Sequence, residues 1–377
     1  MYLKVKNVLT AGAAVACWPF RRRVRGLPRR ILIVQNAKLG DMVCTTPLFR
    51  AVKQNIKDAQ IVVMGSALNK ELLAGHPYVD EYLVAPHGFF ALVRALRRGH
   101  FDFVAMVGPE SQLLAALMCA RVPQIVVPRV SGGWSPYETV THKFLSRFVT
   151  VATYHMRSYM PREYLRLLEP LGIHTDDTHK ELAVSHDAVL RVKKLLAQKG
   201  YDPKKDFIVG IAPSAGAHKL KSWDAERFAK VAEYLAQKHN AVIAIIAAKG
   251  EKDDVEKMLA VIPKSVRVVD FCGALSIEEL KALVSLLSLY ISSDTGPVHI
   301  AEAFDTPSVD VLGAVDEHEI SIASLRHRVV FHPGRGEPAI HTMSASVYDP
   351  VEVRRQTDMV TVEMVIAAVE DLLAAIT

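Results

Sequence analysis

Asp41 stands beside Gly40 in QNAKLGDMVCTTP, directly after the apolar run ILIV and ahead of a segment with helical spacing. A glycine-bearing turn between a strand and a helix commonly holds phosphate on the free N–H groups of the first helical turn. A carboxylate at that place repels phosphate, and neither GxxxxGK[ST] nor GxGxxG occurs there. Two uses remain for the acid: taking a proton from an acceptor hydroxyl, or capping the helix that starts near Met42. The residue types alone leave the two even.

Three stretches in the second half have the opposite character. LYISSDTGPVHIAEAF runs from strand into helix through Asp294, Thr295 and Gly296, with Pro297 at an early helical position and His299 one turn on. Asp294 or Thr295 can cap the helix, Gly296 lets a ligand approach the backbone, and His299 can add a hydrogen bond to a diphosphate. An ordinary capped helix with a surface histidine is the commoner meaning of that spacing. APSAGAHKLKSWDAERF follows its strand with small residues and then Lys219 and Lys221, whose ammonium groups neutralise phosphate as point charges. AAKGEKDD ends a strand with Gly250 and Glu251, an acid placed to hold ribose hydroxyls. All three are expected on the carboxyl edge of one sheet, where together they describe a nucleotide-diphosphate pocket.

The elements that must position these residues are legible as two series. ILIVQ (31–35), QIVVMG (60–65), EYLVA (81–85), FDFVAMV (101–107) and QIVV (124–127) alternate with helical segments such as TTPLFRAVKQN and SQLLAALMCA. Continuous apolar strands separated by helices predict an α/β parallel sheet covered on both faces. The series restarts with FIVGIA (207–212), AVIAIIA (241–247), VRVVDF (266–271), LYISS (289–293) and PSVDVLG (307–313). The stretch LGIHTDDTHKELAVS has neither period and reads as the connection, so the expected domains are 31–175 and 176–360, followed by a packing helix over 361–377. Two doubly wound, Rossmann-like domains facing across a cleft would put the chemistry in their strand-to-helix loops.

The chain of 377 residues is half hydrophobic and carries a net charge of +6, which excludes extensive disorder and points to anionic partners. The excess gathers at Arg21, Arg22, Arg23, Arg25, Arg29 and Arg30, after a short apolar segment that cannot span a bilayer. The arginines oppose translocation, so residues 1–30 are expected to be a basic extension resting on an anionic membrane surface; a frayed basic tail is the alternative. Cys17, Cys44, Cys119 and Cys272 lack metal-ligand spacing and read as free cytosolic thiols.

ILIVQNAKLGDMVCTTPLFRAVKQ resembles the amino-terminal signature of the family 9 glycosyltransferases, the lipopolysaccharide heptosyltransferases, and SSDTGPVHIAEAFDTPSVDVLG resembles their second signature. PSAGAHKLKSWDAERFAKVAEYL is similar to their donor loop, and the likeness spans roughly residues 31 to 313. The resemblance implies a GT-B fold and inverting transfer from an ADP-activated heptose to a lipid-linked saccharide such as a lipopolysaccharide core. It implies no cofactor, no required metal, no nucleic-acid partner, and a cytoplasmic enzyme peripheral at the inner membrane. By the same resemblance Asp41 is the general base in the acceptor domain and Lys221 stabilises the departing phosphate. Gly216 and Ala217 lie where the donor-loop backbone nears phosphate, Glu251 meets ribose, Leu275 packs near adenine, and Asp294, Thr295, Gly296 and His299 hold the donor.

After VLG the chain departs from the family pattern with AVDEHEISIASLRHR in place of a P-T-D-P-like turn, and it has no cysteine-containing tail. Those departures leave the sugar open. A transferase using another nucleotide sugar, a nucleotide-sugar epimerase or hydrolase, and a non-catalytic nucleotide-sugar-binding scaffold are the competing expectations. Asp41 and Lys221 together favour an enzyme.

Overall fold

The computed structural model describes residues 2–22, 24, 26–216, 219–320 and 323–376. The chain divides into two compact units, Met1–Lys180 with Thr342–Ser346, and Glu181–His341 with Val347–Thr377. The division at 180/181 lies five residues beyond the expected 175/176, because Arg50 holds the connection to the first unit. Its Nε and Nη2 donate to the two Asp177 oxygens at 2.9 and 2.8 Å, and Nη2 also donates to the His179 carbonyl at 2.7 Å.

The first unit is a six-stranded parallel sheet of β1 (Arg30–Val34), β2 (Gln60–Gly65), β3 (Glu81–Val84), β4 (Phe103–Met106), β5 (Gln124–Ser131) and β6 (Thr150–His155), in the order β3-β2-β1-β4-β5-β6. The second repeats the pattern with β7 (Ile208–Ala212), β8 (Val242–Ile245), β9 (Arg267–Asp270), β10 (Leu289–Ser293), β11 (Ser308–Val311) and β12 (His327–Val330), in the order β12-β11-β10-β7-β8-β9. This is the Rossmann order in both units, with the strand direction of travel reversing at β1/β4 and at β7/β10. The central strands β1, β4, β7, β8 and β10 are almost wholly buried, which is why they read as unbroken apolar runs. β6 and β12 are edge strands with mixed exposure, so TVATYH and HRVV carried no such signal.

The structure gives the N-terminal segment a packing role that its sequence did not announce. Tyr2–Cys17 is a helix packed on the helix Ser111–Cys119, with Ala11, Ala14 and Trp18 inside the core of the first unit. The reason lies in SQLLAALMC, which is apolar on every side: Leu113 through Cys119 are all buried, and a helix of that kind needs cover on both faces. The arginines that follow are also partly structural. Arg21 lies over the Trp18 ring at 4.5 Å, Arg22 pairs with Asp102, and Arg30 donates to both Glu81 oxygens at 3.0 and 2.6 Å. Arg23 and Arg25 lie outside the described residues.

In the second unit Trp223 anchors the core. It is 1% exposed, meets Phe228 edge-on at 4.9 Å, and donates its indole N–H to the Val360 carbonyl at 2.9 Å. Val365, Val369 and Leu372 of the helix Val362–Ile376 close the same core.

Candidate functional site

The expected donor residues gather on the carboxyl edge of the second sheet. The loop after β7 is folded on itself by serines: the Ala215 N–H donates to Ser222 Oγ at 2.7 Å and the Gly216 N–H to Ser214 Oγ at 3.3 Å. Gly216 has φ +65°, the left-handed region that favours glycine, and a Cβ there would stand 3.4 Å from Glu251 Oε1. The loops after β7 and β8 therefore bring Gly216 and Glu251 together. The Glu251 carboxylate accepts from the Ala248 N–H at 2.5 Å, which fixes its own turn. Ala217 lies outside the described residues.

Lys221 closes the lysine loop and pairs with Asp294 at the end of β10. Its position is set by the tryptophan two residues on, since the Trp223 N–H donates to Ser293 Oγ at 3.0 Å while the indole is held in the core. A tryptophan after the lysine is thus the means by which the loop after β7 is tied to the loop after β10, across the point where the strand order reverses. Asp294 is 9% exposed. Burial pushes its carboxyl up, but the Lys221 ammonium and the His299 ring outweigh that, and it stays below the usual range.

The capping expectation for this loop is corrected. Thr295 is the N-cap of the helix Gly296–Ala303 by backbone geometry, but its side chain makes no capping bond, and the Asp294 carboxylate is engaged with Lys221. Pro297 sits at the start, where its missing N–H costs nothing. His299 is also not the surface histidine of the plain reading: it is 4% exposed and its Nδ1 lies 2.7 Å from Glu302 Oε2. Leu275 is half-buried after β9, just before the N-cap Ser276. Its turn is joined to the β8 loop by the Gly273 N–H, which donates to the Ala247 carbonyl at 2.9 Å.

Sequence reasoning missed Ser214, Ser222 and Ser293, whose hydroxyls shape the loop, because isolated serines near glycines carry no distinctive spacing. It also passed over two further members of the site, Glu302 and Asp310. Asp310 lies inside the apolar-looking run PSVDVLG, where one polar residue in a strand is the only signal.

Asp41 belongs to the first unit. The helix Leu39–Asn55 begins earlier than expected, with Lys38 and not Asp41 as N-cap, so Asp41 is the third helical residue. A carboxylate in the first turn is favoured by the helix dipole. It is half-buried; the Gln35 amide and the Thr45 hydroxyl lie by its own turn, the latter donating to the Asp41 carbonyl at 2.7 Å. Tyr164 is close by: burial and then the Asp41 charge push its phenol well up, against a hydrogen bond with Gln35.

One His–carboxylate cluster lies after β11. His341 Nδ1 is 3.1 Å from Asp316 Oδ2 and 3.5 Å from Glu319 Oε1, with both acids buried. Hydrogen bonds to these two acids push His341 up to about 9, and the histidine pulls Asp316 down to about 2 against burial. A charged histidine thus already serves as their counter-ion.

Residues 89–344 match the family described as glycosyltransferase family 9 (heptosyltransferase); the span includes the donor loops and begins after Asp41. Over 350 residues the chain is 25% identical to lipopolysaccharide heptosyltransferase 3 of Escherichia coli (strain K12), covering 89% of this chain and 95% of that protein. Its fold is similar to that of a family 9 glycosyl transferase from Veillonella parvula, with a TM-score of 0.73 at 19% identity over 94% of this chain and 99% of the other. It is also similar to the E. coli ADP-heptose lps heptosyltransferase II, with a TM-score of 0.72 at 17% identity over 92% and 98%. Two Rossmann-like units of the GT-B type, the donor loops and the match over 89–344 make this chain a member of glycosyltransferase family 9, and a glycosyltransferase.

Proposed function

We propose that the protein transfers heptose, with inversion at the anomeric carbon, from ADP-heptose to a saccharide of a lipopolysaccharide core or related lipid-linked glycan. The observation that carries this reading is the Lys221–Asp294 pair at the switch point of the second sheet, flanked by Gly216, Glu251, Thr295, Gly296 and His299. The relatives' names, lipopolysaccharide heptosyltransferase 3 and ADP-heptose lps heptosyltransferase II, support the sugar and the nucleotide.

In this mechanism Asp41 takes the proton from the acceptor hydroxyl as its oxygen attacks the anomeric carbon. The bond from that carbon to the diphosphate oxygen breaks, and negative charge grows on the leaving group. Lys221, drawn from Asp294 toward phosphate, and the N–H of Gly296 neutralise it. No metal is required, because a fixed ammonium and a helix terminus do that work. A thermal-shift panel of nucleotides and nucleotide sugars tests the donor assignment, since a ligand that binds only the folded state raises the melting temperature. ADP-heptose is expected to give the largest rise; a larger one from a uridine or guanosine sugar would overturn it.

The acceptor's lipid places the enzyme at the cytoplasmic face of the inner membrane as a peripheral protein. Among the described residues no helix is long and apolar enough to cross a membrane. Among the described side chains of the N-terminal helix the outward ones are Leu9, Gly12, Ala13 and Ala16, apolar residues followed by the exposed Arg21 and Arg22. Such a face suits an anionic bilayer surface. Truncation of residues 1–30 is a poor test, because it strips the cover from Ser111–Cys119. Leu9→Glu with Ala16→Glu leaves that inner face intact and is expected to abolish sedimentation with phosphatidylglycerol vesicles; full retention on the vesicles would remove the helix from this role.

A further inference from the structure

Asp310 is an acid of the donor site that the mechanism above does not use, and unlike Glu251 and Glu302 it has no hydrogen-bond partner among the described residues. It is 1% exposed, and neither carboxyl oxygen finds a hydrogen-bond donor among the described residues. A buried carboxyl without a donor is rare, and as a bare anion it would be costly. The register of the sheet explains its neighbourhood. Ser292 of β10 pairs with Asp310 of β11, so Asp294, two residues beyond Ser292, projects from the same face one diagonal step away. Tyr290, two residues before Ser292, lies on that face too, and its burial pushes the phenol up. His299 and Glu302 approach from the helix Gly296–Ala303, Lys221 from the loop after β7, and on the β12 side His327 is taken up by Ser308, with Nδ1 and Oγ 2.9 Å apart. Among the described residues the space thus holds Lys221 as the counter-ion of Asp294, His299 engaged with Glu302, and no separate cation for Asp310. Burial first, and then the charge of Asp294, hold the Asp310 carboxyl well above the usual carboxylate range.

We propose that Asp310 is a positioning residue for donor binding: as the uncharged carboxyl behind Asp294 it keeps a second anion out of the pocket, so that a diphosphate can draw Lys221 from Asp294. The inference rests on reading the site as a nucleotide-diphosphate pocket. Its signature is a pH dependence. Below the raised pKa Asp310 carries its proton and donor affinity is complete. As pH rises through it, a second negative charge appears beside the diphosphate and competes for Lys221. At several ångströms in a partly buried site such a charge lowers affinity by about 10- to 100-fold.

The test titrates the wild-type protein and Asp310→Asn by calorimetry from about pH 6 to about pH 10 with whichever of ADP, UDP and GDP binds best at neutral pH. Asparagine has nearly the same shape but cannot ionise. The expected result is that wild type loses affinity on the alkaline side while Asp310→Asn holds its neutral-pH affinity to higher pH. A merely structural Asp310 would lower affinity in the variant at every pH and leave the two alkaline limbs parallel; that result would overturn the inference while leaving the donor pocket in place. Failure of the wild type to bind any of the three nucleotides would sink the donor reading and the inference with it. Should Asp310→Asn not fold, infrared spectra of the wild type decide: a protonated-carboxyl band at neutral pH that disappears on alkaline titration, with parallel loss of nucleotide affinity, supports the inference, and its absence at neutral pH overturns it.

Discussion

Replacing Asp41 with asparagine is expected to lower sugar transfer by about 10²- to 10⁴-fold, the range that a positioned general base contributes, with the affinity for the nucleotide donor nearly unchanged. Asparagine fills the same volume in the first turn of Leu39–Asn55, beside Gln35 and Tyr164, but it cannot accept the acceptor's proton. Donor affinity is spared because the groups proposed to bind the diphosphate all lie in the second unit. The rival role, a charge favourable to the helix dipole, predicts something different: a stability loss of about 0.3–1 kcal/mol with little change in turnover. Steady-state kinetics together with a thermal melt of the same variant separate the two. A kcat within about twofold of wild type would remove Asp41 from the base role.

Lys221→Ala should be the most damaging change on the donor side, because it removes the ammonium proposed to meet the diphosphate and also leaves Asp294 buried without its Lys221 partner. Loss of a single group stabilising developing charge costs about 10²- to 10³-fold in kcat. The orphaned carboxylate adds to this by repelling the diphosphate, so KM should rise as well. Removing one partner of a buried pair typically costs about 3–5 kcal/mol, and the melting temperature should therefore fall in Lys221→Ala and recover in part in Lys221→Ala with Asp294→Ala. The double variant serves as a control, since stability returns while activity does not. A kcat/KM for Lys221→Ala equal to that of the wild type would exclude the phosphate role.

The sequence carried much of this arrangement because central parallel strands leave a strong trace. Runs such as ILIV and AVIAII are apolar on both faces only because helices cover both, and eight of the ten strands that were legible lie inside their sheets. β6 and β12 were not, because polar residues interrupt TVATYH and HRVV, whereas the edge strands β3 and β9 keep short apolar runs in EYLV and RVVD. The N-terminal helix shows a different limit. Its small apolar residues fit a membrane surface and a protein interface equally well, and only the neighbour, a helix apolar all round, decides what its inner face does.

At the site, residue types located the loops but not the partners within them. Asp294 could be read as a helix cap because capping is local; its bond to Lys221 joins residues 73 apart in the chain, and no local pattern reports that. The tryptophan after Lys221 was visible as a motif, yet its physical purpose, tying one loop to Ser293 and to Val360, depends on the folded sheet. Asp310 is the extreme case, a single acid in an apolar strand whose environment is made by β10, β12, the helix Gly296–Ala303 and the loop after β7.

The most direct measurement is the product itself. Purified protein is incubated in EDTA with ADP-heptose and a heptose-acceptor lipopolysaccharide core, and the anomeric configuration of the new linkage is read by NMR. The account predicts heptosyl product of inverted configuration at an undiminished rate in EDTA. Retained configuration, transfer that needs an added divalent cation, or no transfer of heptose by a protein that binds ADP-heptose would contradict it.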